Sequence, residues 1–218
     1  DKEADFLPEG NLSDDDFATM IATFQEEPKL QKKSNVPQYL QKYYLTTTDE
    51  NFSFEGVNSE DYLAGLFYEA AMETKNEFLR RWFEFNLNIS NLLTAITCRK
   101  HGFNHKLMVV GQNEIAGLIR QSNARDFGLS GEFDYYDVVA RIAEEPDLLE
   151  REKKIDALKW EWLEENTFFK YFSIEKILVY VLKVQMLERW KILSVDKGTQ
   201  IFRKLLEGMK EGVKFEAV

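Results

Sequence analysis

His101 and His105 are the first residues whose type and spacing suggest chemistry. On one continuous helix an interval of four puts two imidazoles on one face, as in helical zinc proteases. Here Gly102 falls between them, no Glu follows His101, and the chain holds 2 His and 1 Cys in all. Surface or capping roles fit these imidazoles better than metal ligation. A helical di-iron centre needs Glu-x-x-His pairs projecting into a bundle, and the sequence contains none. Glu144 with Glu145, and Glu164 with Glu165, have the right type for acid–base work. They lie at helix ends among other charges, with no sequence neighbour suited to shifting their proton affinity, so solvated surface is the expectation. No phosphate-cradling loop, dinucleotide fingerprint or nucleophile elbow occurs, and the 11 Gly do not cluster to form one. The residues read as those of a protein that is not an enzyme and holds no cofactor or metal.

The most unusual local run is Phe85-Asn86-Leu87-Asn88-Ile89-Ser90-Asn91. Asn is a modest helix former because its side chain competes for backbone groups, so three in six residues need a reason. Hydrogen bonds that fix packing register explain Asn86, Asn88 and Asn91 better than a ligand site does. Leu79-Arg80-Arg81-Trp82 has a faint echo in Leu187-Glu188-Arg189-Trp190, which would make Arg189 a bridge and Trp190 a packing element of a similar polar core.

These residues must sit on helices. Of 218 residues, 44% are hydrophobic and only 11 are Gly and 4 Pro, too few turn formers for a sandwich or barrel of this length. Ser13 before Asp14, Asp15 and Asp16 caps a helix running to about Glu27, where Pro28 stops it. A short helix follows from Pro37, and residues 46–57 read as loop. From Ser59 to His101 there is no Pro and one Gly, Gly65. Leu63, Phe67, Ala70, Thr74, Phe78, Trp82, Phe85, Ile89, Leu92 and Ile96 keep close to a helical period, which predicts one very long helix whose second half is enclosed on two sides. Helices are further expected at 113–121, from Asp134, from Pro146, at 173–193 and at 195–209, with an exposed loop at 122–133. The helix opening at Ser173 is apolar nearly all round and is expected to lie inside. The fold class is all-α, with about eight helices. A division at residue 58 separates an acidic N-terminal segment, 1–58, from a main helical domain, 59–218.

Charge excludes one class of partner. Residues 1–60 carry 13 acids and 5 bases, a net of −8, and residues 61–218 carry 25 acids and 23 bases, a net of −2. Neither part has the basic excess that displaces phosphate counterions, so no nucleic acid is expected. A single cysteine, Cys98, suits a reducing compartment. The uncharged apolar run Ile177–Leu182 is far short of the roughly 20 residues that cross a bilayer. The chain opens on Asp1 with no basic, apolar leader, which reads as a cut within a longer sequence.

The segment Phe85 to Phe103, with its Asn-rich start, Asn91-Leu92-Leu93, Arg99 and Gly102-Phe103, is similar to the long-helix region of the C-type coupling subunit of V-type ATPases. The run Ser173-Ile174-Glu175-Lys176-Ile177-Leu178 through Leu187-Glu188-Arg189-Trp190 to Gly198 and Phe202 resembles a bacterial family of uncharacterised proteins related to that V-type ATPase component. The resemblance covers residues 60–210 or so and leaves the acidic start uncovered. It implies an all-helical, noncatalytic protein that joins the central stalk to the membrane rotor ring of a proton- or sodium-translocating ATPase, peripheral to the membrane on the cytoplasmic face. It carries over no catalytic residues. Arg120, Arg125 and Tyr135, in or beside the polar loop between helices, are the expected partner contacts, with ordinary solvent exposure as the alternative. An unrelated helical scaffold or adaptor is the other function class that this sequence fits.

Overall fold

In the computed structural model, residues 11–54, 56–192 and Arg203 are described. Nine α-helices and no strand occur among them. The chain divides into two compact units, Asp1–Arg151 and Glu152–Val218.

Helix α1 (Asp14–Glu26) begins with a reciprocal cap: Asp16 N–H donates to Ser13 Oγ at 3.2 Å, and Ser13 N–H donates to Asp16 Oδ2 at 2.8 Å. These bonds satisfy donors that a helix start leaves orphaned. One face of α1 buries Met20 and Phe24 in a small core with Val36. Helix α2 (Gln38–Thr47) follows Pro37 and folds the preceding connection back through Gln41, which is fully buried. Its Oε1 accepts from Gln31 N–H at 2.7 Å, and its Nε2 donates to Gln31 O and Val36 O.

The run predicted as one helix from Ser59 is two: α3 (Ser59–Met72) and α4 (Glu77–His101). Asn76 makes the break, its side chain accepting from Leu79 N–H at 3.0 Å and starting a new helix. An Asn side chain offers backbone donors an alternative to continued helix, so no Gly or Pro is required. Helix α4 is the hub of the first unit, touching α3, α5 (His105–Met108), α6 (Glu114–Gln121) and α7 (Tyr136–Ala143). Phe78, Trp82, Phe85, Leu87, Ile89, Leu92, Ala95 and Cys98 are buried along it. It ends at Gly102, whose φ of 73° lies in the left-handed region that a Cβ disfavours.

Helix α7 starts at Tyr136 and not at Asp134, because Tyr135 occupies the cap position. Helix α8 (Leu148–Glu165) likewise starts after Pro146, where Asp147 Oδ1 accepts from Glu150 N–H at 3.0 Å. In the second unit, Ile155, Leu158, Trp162 and Leu163 of α8 and Val179 of α9 (Ile174–Ile192) are buried. The expectation that α9 lies inside is corrected. Ile174, Ile177, Tyr180, Val181 and Leu187 are exposed, so a helix apolar nearly all round covers only part of its circumference. Of the helix expected at 195–209, Arg203 alone lies among the described residues, and it is helical and exposed.

Candidate interaction surface

The asparagines of α4 hold the long connection that follows it. Asn91, 2% exposed, donates through Nδ2 to Val110 O at 2.8 Å and accepts Val110 N–H on Oδ1 at 2.9 Å. One side chain thereby pairs both polar groups of a single residue, as a strand partner would. Asn88 Oδ1 accepts from Asn113 Nδ2 at 2.7 Å, while Asn113 Oδ1 accepts from Ala116 N–H and caps α6. Asn86 instead donates to Trp82 O of its own helix. Gly111, at φ 77°, is pressed onto α4: a Cβ there would come within 2.9 Å of Leu87 Cδ2.

Arg120 reaches back from α6 and donates through Nη2 to Val109 O and Gly111 O, each at 2.6 Å. Burial lowers its pKa from the ordinary arginine value. Tyr135 packs edge-on against Phe85 at 4.9 Å between centroids, and against Phe133 at 5.7 Å. Two of the three side chains expected to meet a partner therefore have interactions within the fold. Arg125 is exposed and lines a cleft of about 840 Å³ with Arg99, Arg141, Asp126, Asp137 and Glu144.

Arg99 shapes that cleft from the last turn of α4. Its guanidinium lies 3.7 Å from the centre of the Phe127 ring and donates to the carbonyls of Ala124 and Arg125. The loop expected to be exposed at 122–133 is thus anchored: Phe127 and Leu129 are fully buried. Asp126 stabilises the turn by accepting from Gly128 N–H and Ser130 N–H. The Ser130 side chain is the leading cause that holds its carboxyl below the usual range. Gly128 and Gly131 among polar residues give the segment a loop composition, and only the pair Phe127 and Leu129 signals its buried side. Three guanidiniums and three carboxylates around one cleft suit a polar protein surface of mixed charge better than an anion alone.

The histidines do not converge. His105 Nε2 lies 3.0 Å from Ile119 O and its ring meets Phe127, whereas the His101 ring lies tilted beside Phe103, 6.4 Å between centroids. No group of three or more potential ligands stands together among the described residues. Cys98 is buried beside Met108 Sδ at 3.3 Å, and burial pushes its thiol pKa up.

In the second unit, Arg189 and Trp190 share one acceptor. Asp156 Oδ2 receives Arg189 Nη2 at 2.6 Å and Trp190 Nε1 at 2.7 Å, and Glu152 adds a bond to Arg189 at 3.3 Å. The Asp156 bond is the largest influence raising the Arg189 pKa. Glu164 pairs with Lys183, whose hydrogen bond leads in lowering the carboxyl pKa, and lies 3.7 Å from Lys176. Glu164 thus belongs to a surface ion network at the end of α8, and Glu165 beside it is exposed.

A profile for a family described as "Protein of unknown function (DUF2764)" matches residues 1–213. The chain belongs to the DUF2764 family. No curated protein and no solved structure matches it. The family match spans both compact units, including the acidic N-terminal quarter.

Proposed function

We propose that this DUF2764 protein is a noncatalytic coupling subunit of a V-type rotary ATPase, linking the central stalk to the membrane rotor ring on the cytoplasmic face. One observation carries the reading. The segment that resembles the V-type coupling protein, Phe85 to Phe103, includes most of the buried face of α4, the hub of an all-helical unit, and its distinctive polar residues hold a frame together. Asn88 and Asn91 lock the connection after α4, and Arg99 locks the loop under the cleft. A protein that transmits torque needs rigid helices joined by satisfied polar clamps, and buried networks of this type specify one arrangement. The cleft bearing Arg125 supplies an exposed, mixed-charge face for a stalk or rotor partner.

Affinity capture of the tagged protein from detergent-solubilised native membranes tests the proposal. Recovery of the catalytic, stalk and rotor subunits is the expected result, reduced by Arg125→Glu. Capture that brings down no ATPase subunit refutes it and leaves a helical adaptor, a reading favoured by the exposed apolar face of α9.

A further inference from the structure

A pocket of about 280 Å³ lies in the first unit between α3 and residues 106–112, with Arg120 of α6 in its wall. Asp61, in the first turn of α3, lines the same pocket. Among the described residues Arg120 and Asp61 make no ion pair with each other or with any third group. Opposite charges held partly out of water without counter-charges weaken a fold, and a ligand that supplies both counter-charges is stabilised by both. We infer that this pocket binds a free apolar α-amino acid of about leucine's size, its carboxylate on Arg120 and its ammonium group on Asp61.

The fold fixes both charges in advance. Arg120 Nη2 is held by the carbonyls of Val109 and Gly111, which leaves Nε and Nη1 as donors for a ligand oxygen. The segment that carries those carbonyls is itself pinned to α4, through the two bonds between Asn91 and Val110. Asp61 stands on a helix start that Asn58 caps, its Oδ1 accepting from Glu60 N–H at 2.9 Å. Burial pushes the Asp61 carboxyl pKa up, with Glu60 adding to the rise, and burial lowers the Arg120 pKa. Both shifts run against the charged form, as expected of charges that are partly desolvated and lack a counter-ion.

Volume, wall and charge select the ligand class. The pocket is just smaller than the range of about 300–1,000 Å³ that holds drug-sized ligands, which suits a smaller molecule. Leu66, Leu107, Val109 and Val110 give it an apolar wall for an aliphatic side chain. Gly65, one turn beyond Asp61, contributes no side chain to that wall. A Cβ there would meet its nearest neighbours, Gly111 N and Val110 Cγ1, only at 3.9 Å, so the glycine leaves room and is not forced by close packing. Lys106 adds to the cationic side and makes no ion pair among the described residues. Glu69 adds to the acidic side but already lies 3.7 Å from Lys42. A simple anion would leave Asp61 unanswered and be repelled by it, and a simple amine would do the same at Arg120. A zwitterion answers both.

The inference does not depend on the ATPase assignment, because it is read from the purified chain and free ligands. Isothermal titration calorimetry is run with leucine and with two analogues that each lack one charge, isocaproate without the ammonium group and isoamylamine without the carboxylate. Leucine should bind, and each analogue should bind at least about tenfold more weakly through loss of one charge-assisted contact. Asp61→Asn should weaken leucine by about the same factor and leave isocaproate unchanged, a pattern that a general disturbance of the fold does not produce. Arg120→Lys, which keeps the charge and loses the planar fork, should weaken leucine and isocaproate alike and spare isoamylamine. Absence of leucine binding at millimolar concentration overturns the inference. Isocaproate binding as tightly as leucine also overturns it, since the pocket would then be a site for anions alone. Leucine affinity that survives Asp61→Asn intact would place the ligand elsewhere and sink the assignment.

Discussion

Asn91 and Asn86 are five positions apart on one helix, yet their replacement should cost very different amounts. Asn91→Ala strands the N–H and C=O of Val110 in a site where the side chain itself is nearly inaccessible. Two unmade buried bonds predict a loss of about 2–4 kcal/mol in urea unfolding. Asn86→Ala removes a bond to a carbonyl of its own helix, so a loss below about 1 kcal/mol is expected, partly offset by better helix propensity. A comparable loss for both variants would show that the α4 clamp does not hold the connection. Asp16 gives a second residue-scale test. The Ser13 side-chain bond, aided by Ser13 N–H and Asn35, lowers its pKa from 3.8 to about 2. Because the folded value is the lower one, the stability it supplies is complete above the ordinary value and drains away as pH falls towards 2. Asp16→Asn should flatten the unfolding profile in that window and leave its neutral-pH shape unchanged, with a carboxyl NMR titration reporting the shift directly.

At the scale of elements, what the sequence discloses depends on whether the signal is local. Ser13 with Asp16, Pro37 and Gly102 mark helix ends by short-range chemistry, and the observed ends fall beside them. The break between α3 and α4 is hidden because the apolar period passes through it undisturbed, while the cause is one side chain, Asn76. Asn76→Ala should cost about 1 kcal/mol in thermal or urea unfolding through loss of the α4 cap. No cost would mean that packing alone sets the break. The exposure of α9 is hidden for a different reason: composition records what a face could cover, and coverage depends on elements far away in sequence. The candidate cleft is the least legible part, since Arg99, Arg125 and Arg141 come together only through the packing of α4 on α7 and the anchored turn at Phe127. Arg189 and Trp190 are visible as an echo of another segment, but their common acceptor, Asp156, is not. In a double-mutant cycle, Asp156→Ala and Trp190→Phe should each cost about 1 kcal/mol or more and combine to less than their sum, because both remove the hydrogen bond between Asp156 and Trp190. Additive losses would separate the tryptophan from that carboxylate.

For the whole molecule, the uneven charge makes the sharpest demand. The first 60 residues carry a net of −8 and the remaining 158 only −2, so attraction towards a basic partner is concentrated at one end of the sequence. Asp15, Glu26 and Glu50 belong to that part and are exposed, with little fold stability invested in them. Charge presented in this way acts on encounter more than on the docked state, since exposed charges steer diffusion and are screened beyond roughly 8 Å at physiological salt. If the coupling role is right and the acidic part faces a basic stalk surface, Asp15→Asn/Glu26→Gln/Glu50→Gln should slow association with the isolated stalk about tenfold at low salt. The same variant should approach the parent rate near roughly 0.5 M salt, where the field has decayed within a few ångströms, and dissociation should change little at either salt. Stopped-flow or surface-based kinetics across a salt series reads both rates. A parent association rate indifferent to salt would remove steering from the acidic segment and leave solubility as its physical role, whereas a change confined to dissociation would place these carboxylates inside the docked interface.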